Sequence, residues 1–395
     1  MHSTTKAVHR PGKRSLRGRA CVAAVAMGAL GLTGLLAPQV TAADRADGAD
    51  AARGSSAAAV AATRGNTTDA EIDRFWTKER IRQAKAVDVP TVSAAQIKAA
   101  QEKRDEGGAT DPDGSTNQNS GGVDPKAHSL SAAAVGPAMA TKAGTSGAGA
   151  NVLAVDRAKR FNKQGTMPAT TTGKLLFETN NGHSGSCSGS AIVADNRNTV
   201  WTAGHCVHPG DGSGPDQYKK FIFIPDADNA KEPFGQWKFE RAVTTEGWMD
   251  NGDHEFDLAG VEFRSQSTHG DLQAAVGAQG YKFGYGRDWD DVTDLGFPGD
   301  GYQRTDFDGQ LLWYCQGKAE DSGPFWDDRM VTRCDMGRGS SGGPWLAELD
   351  PSNGHGRIVG VNSHRNGKNG QYVDNNLYSA DHGDAAINVY NNISK

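Results

Sequence analysis

A single serine set among glycines constrains this chain more than any other feature. Ser341 lies in the segment GRGSSGGPW, residues 337–345, in which a proline and a large apolar residue restart regular structure. Glycine allows positive φ angles and the close approach of another backbone. A serine on such a turn exposes its hydroxyl and directs neighbouring N–H groups to one point, where they can stabilise a developing oxyanion. Most glycine-serine stretches are only loops, so this interpretation depends on the rest of the chain.

Two upstream segments supply the partners that a serine nucleophile needs. His205 lies in Thr202–Cys206 (TAGHC) after an apolar run, and Asp257 opens the apolar segment DLAGV. A serine hydroxyl is a poor nucleophile until an imidazole takes its proton, and the imidazole needs a carboxylate to fix its tautomer. The order is His, Asp, Ser, with about fifty and about eighty residues between them. This pattern predicts a catalytic triad.

Together the three segments resemble those of the trypsin/chymotrypsin-like serine peptidases, over about 220 residues up to the C-terminus. The resemblance implies an all-β fold of two six-stranded antiparallel barrels with a short C-terminal helix. It makes Ser341 the nucleophile, His205 the general base and then acid, and Asp257 the group that orients the imidazole. The N–H groups of Gly339 and Ser341 would form the oxyanion hole.

The residue before the nucleophile departs from the animal digestive members of the family, which carry an aspartate there. This chain has Ser340, which cannot pair with a newly formed N-terminal amine. Together with Gly296–Gly299 (GFPG) upstream, Ser340 is similar to the bacterial secreted, glutamyl-endopeptidase-like branch. We therefore expect any latency to come from the propeptide.

Substrate preference stays open between two alternatives. Asp335, six residues before Ser341, matches the acidic pocket floor of trypsin-like members, which favours Lys or Arg before the scissile bond; it could instead only cap a turn. Glutamyl-specific members carry a histidine in the following strand, where this chain has Asn362, and His364 lies two residues on. Ser363 matches the serine that supports the triad carboxylate. The pocket region is thus assigned to Asp335, Ser363 and His364, with basic preference expected and acidic preference as the alternative.

The first 43 residues predict a secretory signal. A lysine- and arginine-rich start precedes the uncharged apolar run Ala20–Leu36, and small residues for cleavage follow at Val40–Ala43. An uncleaved membrane anchor is the alternative. The net charge of −5 shows no basic excess that would indicate nucleic-acid binding. We expect a secreted, extracellular monomer that acts on proteins and peptides, with no nucleic-acid partner and no membrane attachment after signal removal.

Five cysteines fit an oxidising compartment. Cys21 lies in the signal run, which leaves four cysteines and three possible pairings. The resemblance implies a bridge between Cys187 and Cys206, beside the catalytic histidine, and Cys315–Cys334 then follows by exclusion. Because an exported cysteine with a disulfide partner is a poor metal ligand, we expect neither a metal nor a cofactor.

The region between the signal and the peptidase is poor in large apolar residues. Residues 44–165 are expected to be a propeptide and linker, partly helical and largely disordered, because so little area can be buried against the ordering entropy. A stable N-terminal adaptor domain is the alternative. One helix is predicted over Thr68–Ala86. In residues 166–395, assigned to the peptidase domain, short apolar segments between turn residues predict strands, and Asp384–Ile393 predicts a closing helix.

Two other functions compete with this interpretation. The Gly339–Gly343 segment also fits the G-x-S-x-G pattern of α/β-hydrolases. Only 54 residues follow Ser341, and no strand–helix alternation precedes it, so that architecture does not fit. A non-catalytic binding protein on a peptidase fold usually lacks a triad residue or an oxyanion glycine, and both are present here. The predicted function is a secreted serine endopeptidase that works through an acyl-enzyme.

Overall fold

The structure, a computed structural model, describes residues 58–87, 91–92, 119–121, 154–215, 217–323 and 328–395. For residues 91–92 and 119–121 only the backbone is described. The predicted signal sequence and Cys21 lie outside these ranges. No helix in the described part of the chain is long and apolar enough to cross a membrane.

Short elements precede the barrels and attach to their edges. They are β1 (Val60–Arg64), α1 (Asp69–Phe75), α2 (Lys78–Gln83), β2 (Lys85–Ala86), β3 (Thr91–Val92), β4 (Asn119–Gly121) and β5 (Val155–Arg160). β5 lies before the expected domain boundary at 166, yet it pairs with the sheet of the second barrel.

The helix expected over Thr68–Ala86 is two helices, because a threonine interrupts it. Thr77 caps α2 through its side-chain oxygen, which accepts a hydrogen bond from Arg80 N at 3.2 Å. Threonine hydroxyls offer the backbone such an alternative to continuing a helix. Three apolar side chains, those of Ile72, Trp76 and Ile81, are buried against the first barrel. The expectation of disorder therefore does not hold for residues 58–87, since these few side chains share a core with the barrel.

Six antiparallel strands form the first barrel. Their order is β10-β11-β8-β7-β6-β9, and β9 pairs back with β10 to close the ring. Alternating apolar residues fill its interior, including the fully buried Val200, Phe223 and Phe263. The strands are β6 (Thr172–Glu178), β7 (Ser184–Ala191), β8 (Thr199–Thr202), β9 (Lys219–Pro225), β10 (Trp237–Thr245) and β11 (Ala259–Arg264).

The second sheet curls into a half-barrel. Its order is β19-β15-β14-β13-β16-β17, and no ladder among the described strands joins β17 to β19, so this barrel is open where a closed one was expected. The strands are β12 (Gly280–Phe283), β13 (Trp289–Gly296), β14 (Trp313–Asp321), β15 (Met330–Arg333), β16 (Pro344–Ala347), β17 (Arg357–Val361), β18 (His364–Lys368) and β19 (Gln371–Ser379). The remaining helices are α3 (Glu246–Asn251), α4 (Leu272–Val276) and the expected C-terminal helix α5 (Asp384–Ile393).

The all-β architecture is confirmed, and so are both disulfides. Cys187–Cys206 ties β7 to the turn after β8, and Cys315–Cys334 ties β14 to the segment after β15. Each bridge closes a loop with a sequence separation of 19 residues, and a loop of about that size contributes about 3 kcal/mol in the chain-entropy account.

Candidate active site

The first barrel brings His205 and Asp257 together. β8 and β11 are antiparallel neighbours, with Thr202 opposite Ala259. His205 lies in a 3₁₀ turn just after β8 and Asp257 lies just before β11, so both reach the same end of the strand pair. His205 Nδ1 is 2.8 Å from Asp257 Oδ2, and the backbone N–H of His205 donates to Asp257 Oδ1 at 2.7 Å.

Asp257 is fully buried, and its neighbours keep it charged. Burial by itself raises the pKa of a carboxyl, but the charge of His205 and hydrogen bonds from His205 and Ser363 outweigh it and lower the pKa of Asp257. The Ser363 hydroxyl donates to Asp257 Oδ2 at 2.6 Å. The nearby Asp253 instead accepts from Glu255 N in a local turn, so the carboxylate that contacts the imidazole is Asp257.

The second sheet places Ser341 in the tight turn between β15 and β16. Gly339 has a φ of +90°, and a Cβ there would lie 2.7 Å from Phe297 O, so only glycine fits. The Ser341 carbonyl accepts from Ser188 N at 2.7 Å, which anchors the turn to β7 of the first barrel. The turn therefore lies where the two sheets meet.

Four polar groups around this turn are left open. The backbone N–H groups of Gly339 and Ser341 donate to no other described residue. Ser341 Oγ and His205 Nε2 are both buried, and within the described ranges neither has a hydrogen-bond partner. Buried polar groups are nearly always paired in folded proteins. Two donors, one hydroxyl and one imidazole nitrogen without partners therefore indicate a place for a reacting group.

The buried carboxyl group of Asp294 supports the serine turn through Asn362. Asn362 Nδ2 donates to Asp294 Oδ1 at 2.8 Å and to Ser340 O at 3.1 Å, while Trp345 Nε1 donates to Asn362 Oδ1 at 2.7 Å. Asp294 Oδ2 has no partner in the described part of the chain. Burial raises the pKa of Asp294 well above its usual value. Ser340 directs its hydroxyl to Gly337 O at 2.7 Å and thus closes the turn locally.

The raised pKa of Asp294 predicts a stability that depends on pH. A group with a raised folded-state pKa stabilises the fold below its unfolded value of about 3.9, and that stability is lost as the pH rises through the folded pKa. Asp294→Asn removes this loss. Its melting temperature is expected to exceed that of the parent by several degrees at pH 8, at about 2–4 °C per kcal/mol, with a smaller gap at pH 4. The exposed neighbour Asp291→Asn is the control; equal gaps at both pH values would contradict the assignment.

The three residues assigned to the specificity pocket occupy different places. Asp335 is 2% exposed, and both of its oxygens are engaged: Oδ1 accepts from Ala158 N and Oδ2 from Arg304 Nη1, each at 2.8 Å. Ser363 and His364 are fully buried and lie behind Asp257. Sequence reasoning missed Arg304, which lies 31 residues before its partner and carries no motif.

Two cysteine pairs lie near other possible metal ligands. One group combines Cys187 and Cys206 with His205, and the other combines Cys315 and Cys334 with Asp294. All four sulfurs are in disulfides, and metals bind the thiolate form of cysteine. Neither group is therefore a metal site in this oxidised chain.

The N-terminal segment pairs with one strand of each sheet, β7 of the first barrel and β18 of the second sheet. β2 runs parallel to β7, and Val87 N donates to Ser186 O at 3.0 Å. β3 runs parallel to β18, which begins one residue after Ser363. The Ala86 methyl lies 3.1 Å from the place where a Cβ on Gly339 would stand. Ala86 of the N-terminal segment therefore lies against Gly339 of the serine turn.

The fold of this chain is similar to those of solved proteases. The protease Anisep from Arthrobacter nicotinovorans is 29% identical, with a TM-score of 0.51 over 58% of this chain and 97% of that chain. The thermostable serine protease AL20 from an extremophilic microorganism is 30% identical, with a TM-score of 0.50 over 57% of this chain and 97% of that one. No protein-family model and no curated protein sequence matches the chain.

Proposed function

Since the chain belongs to the trypsin/chymotrypsin-like family of serine peptidases, we propose that it is a secreted serine endopeptidase. The observation that carries the proposal is the buried His205–Asp257 pair at 2.8 Å beside a serine turn with two unpartnered N–H groups. An exported protein also accounts for the two disulfides. The matched structures carry protease names, and peptide substrates come to this chain by that likeness.

Each group has one task in the proposed reaction. His205 Nε2 takes the proton of Ser341 Oγ while Oγ attacks the carbonyl carbon of the peptide bond, and the carbonyl oxygen gains the negative charge. The N–H groups of Gly339 and Ser341 stabilise that charge. Collapse expels the amine, which takes the proton from His205, and leaves an acyl-enzyme on Ser341. A water molecule then gives a proton to His205 Nε2 and attacks the acyl carbon. Ser341 Oγ leaves with the proton from His205, and the carboxylic acid product is released. Asp257 holds the imidazole with Nδ1–H towards itself throughout.

We further propose that residues 58–92 form the inhibitory part of a propeptide. β2 and β3 occupy the edges of β7 and β18, which a bound peptide could use by strand addition. The Ala86 methyl lies against Gly339, one of the two residues proposed to form the oxyanion hole. β5 is integrated in the second sheet, so the mature domain is proposed to include it, with the cut between Val92 and Ala154.

The test of the proposed chemistry is covalent labelling. Secreted, processed protein is treated with a peptidyl phosphonate that reacts with activated serines, and the modified peptide is identified by mass spectrometry. We expect label on Ser341, none in Ser341→Ala, and a mature N-terminus between residues 92 and 154. Absence of label on folded, disulfide-bonded, processed protein would leave the non-catalytic binding protein as the better account.

For substrate preference, one contact network favours the acidic alternative over the basic one. Arg304 already neutralises Asp335. Arg365, on β18, is fully buried, and its guanidinium donates to the main-chain oxygens of Cys334, Met336 and Asp374. Its Nε has no partner, and no carboxylate of the described residues lies within ion-pair distance. The positive charge of Arg365, which has no direct ion pair among the described residues, lies beside the segment that leads to the nucleophile, and we propose that its field favours an acidic substrate side chain.

A peptide library separates the two preferences. We expect processed enzyme to cleave after Glu or Asp at least about tenfold faster than after Lys or Arg, since an electrostatic preference of about 1.4 kcal/mol corresponds to a tenfold ratio. Asp335→Asn is expected to leave that ratio unchanged in protein that folds. Faster cleavage after Lys or Arg, lost in Asp335→Asn, would instead assign the pocket to Asp335.

A further inference from the structure

A chain of hydrogen bonds continues behind the candidate triad, beyond Ser363. Ser363 Oγ is 2.6 Å from Asp257 Oδ2 and 2.9 Å from His364 Nδ1. On the far side of the ring, His364 Nε2 is 2.6 Å from Arg329 Nη1. Arg329 is 8% exposed and the other members are fully buried. Three links thus connect a cation to the triad carboxylate.

The charge of Arg329 fixes the direction of every link. A guanidinium in a protein only donates, so His364 Nε2 must accept and carries no proton. The neutral ring then has its proton on Nδ1, which donates to Ser363 Oγ. Ser363 in turn must give its own hydrogen to Asp257 Oδ2. Each donor therefore points from Arg329 towards the carboxylate.

From this arrangement we infer that Arg329 and His364 are positioning residues for the triad, and that they set the lower pH limit of the activity. The inference rests on the proposed function. Without Arg329, His364 could carry its proton on Nε2 and accept from Ser363 at Nδ1. Asp257 would then lose a hydrogen bond, and the site would lose a positive charge.

Several charged or titratable groups surround the hydrogen-bond chain from Arg329 to Asp257. The His254 ring lies 4.5 Å from that of His364, and burial lowers the pKa of His254 to about 4. Tyr378, on β19, stacks on the other side of His364 at 5.0 Å, and the Arg329 guanidinium lies 5.3 Å above the Tyr378 ring. Asp328 precedes Arg329 and pairs with Arg287 at 2.5 Å. Burial, followed by the charges of His254, Arg329 and His205, holds the pKa of His364 well below its usual value.

The effect on activity has a definite sign. A carboxylate that receives fewer hydrogen bonds stabilises a protonated imidazole more strongly, and removal of a nearby cation does the same. Protonated His205 cannot accept the proton of Ser341. Loss of Arg329 is therefore expected to move the acid limb of the pH profile of kcat/KM upwards, by about 0.5–1 pH unit. Above this limb, the rate should be nearly unchanged.

The test compares pH profiles of processed enzyme. Arg329→Met is expected to lose about 3- to 10-fold in kcat/KM below the acid limb and little above it. Arg329→Lys, which keeps the charge and a donor, should restore most of the parental profile. Arg333→Met changes an exposed arginine at the end of β15, the strand that follows Arg329; it is the matched control and should match the parent. Arg329→Gln, which removes the charge but keeps an amide donor for His364 Nε2, should move the acid limb in the same direction by a smaller amount, and it covers the case in which Arg329→Met does not fold.

Two outcomes overturn the inference. One is an acid limb that stays in place in Arg329→Met and in Arg329→Gln; the other is an equal fall in kcat/KM at every pH. A second readout separates this inference from the proposed function: the low-field proton resonance of His205 Nδ1–H requires no turnover. If the parent is not labelled at Ser341, the proposed function fails. A His205 resonance that moves in Arg329→Met would still support the hydrogen-bond chain from Arg329 to Asp257, and an unmoved resonance would contradict it.

Discussion

Replacement of His205 by glutamine is expected to lower kcat/KM by about 10⁴- to 10⁶-fold, because members of a serine triad act as one unit. In the structure, His205 Nδ1 contacts Asp257 and leaves Nε2 buried without a partner among the described residues. In the proposed mechanism, Nε2 takes the proton of Ser341. Glutamine keeps a donor near Asp257 but cannot accept and return that proton near neutral pH.

The measurement is the initial rate on the best library peptide, with active sites counted by phosphonate labelling of the parent. His269→Gln, an exposed histidine on the turn between β11 and α4, is the matched control and should retain the parental rate. Melting temperatures of the two variants show whether any loss comes from unfolding. A His205→Gln enzyme that retains more than about 1% of the parental rate would mean that another group is the base.

The candidate catalytic segments and many of the strands were predictable from the sequence because their signals are local, whereas the two barrels came from the family resemblance. Apolar alternation and turn residues place strands such as β6, β10 and β17, since burial on one face has a period of two. The segments around His205, Asp257 and Ser341 each carry their chemistry within a few residues. The structure places two of them, those of His205 and Asp257, at adjacent strand ends.

Contacts between distant parts of the chain could not be predicted in this way. Asp335 has the sequence spacing from Ser341 that the resemblance led us to expect. Its carboxylate, however, is paired with Arg304, with Nη1 and Oδ2 2.8 Å apart. Arg329 and His364 meet across 35 residues. Neither arginine lies in a motif, and surface arginines are common, so the chain gives no local sign that these two are buried. Only the packing of β14, β15 and β18 brings such partners together.

The N-terminal segment shows the same limit for stability. Apolar residues are too sparse in it for a core of its own, and that argument from composition is sound for an isolated domain. Ile72, Trp76 and Ile81 do not form a separate core, however; they add to that of the first barrel. Trp76 Nε1 also donates to Lys220 O at 2.5 Å. Composition measures how much a segment can bury, but it does not show where a ready surface exists.

The same segment gives the second large expected effect, in the unprocessed chain. Ala86→Trp is expected to raise the rate of phosphonate labelling at Ser341 by about 10- to 100-fold, because the Ala86 methyl lies close against Gly339 and Gly299 and a much larger side chain would crowd them. Overpacking costs about 1–3 kcal/mol, and about 1.4 kcal/mol corresponds to a tenfold larger open population.

Lys85→Ala, which changes an exposed side chain on the same short strand, is the control and should label as slowly as the parent. Intact mass, recorded at each time point, restricts the measurement to uncut chain. Equal rates in Ala86→Trp and the parent would show that β2 does not limit access to Ser341, and latency would then have to lie in the geometry of the serine turn itself.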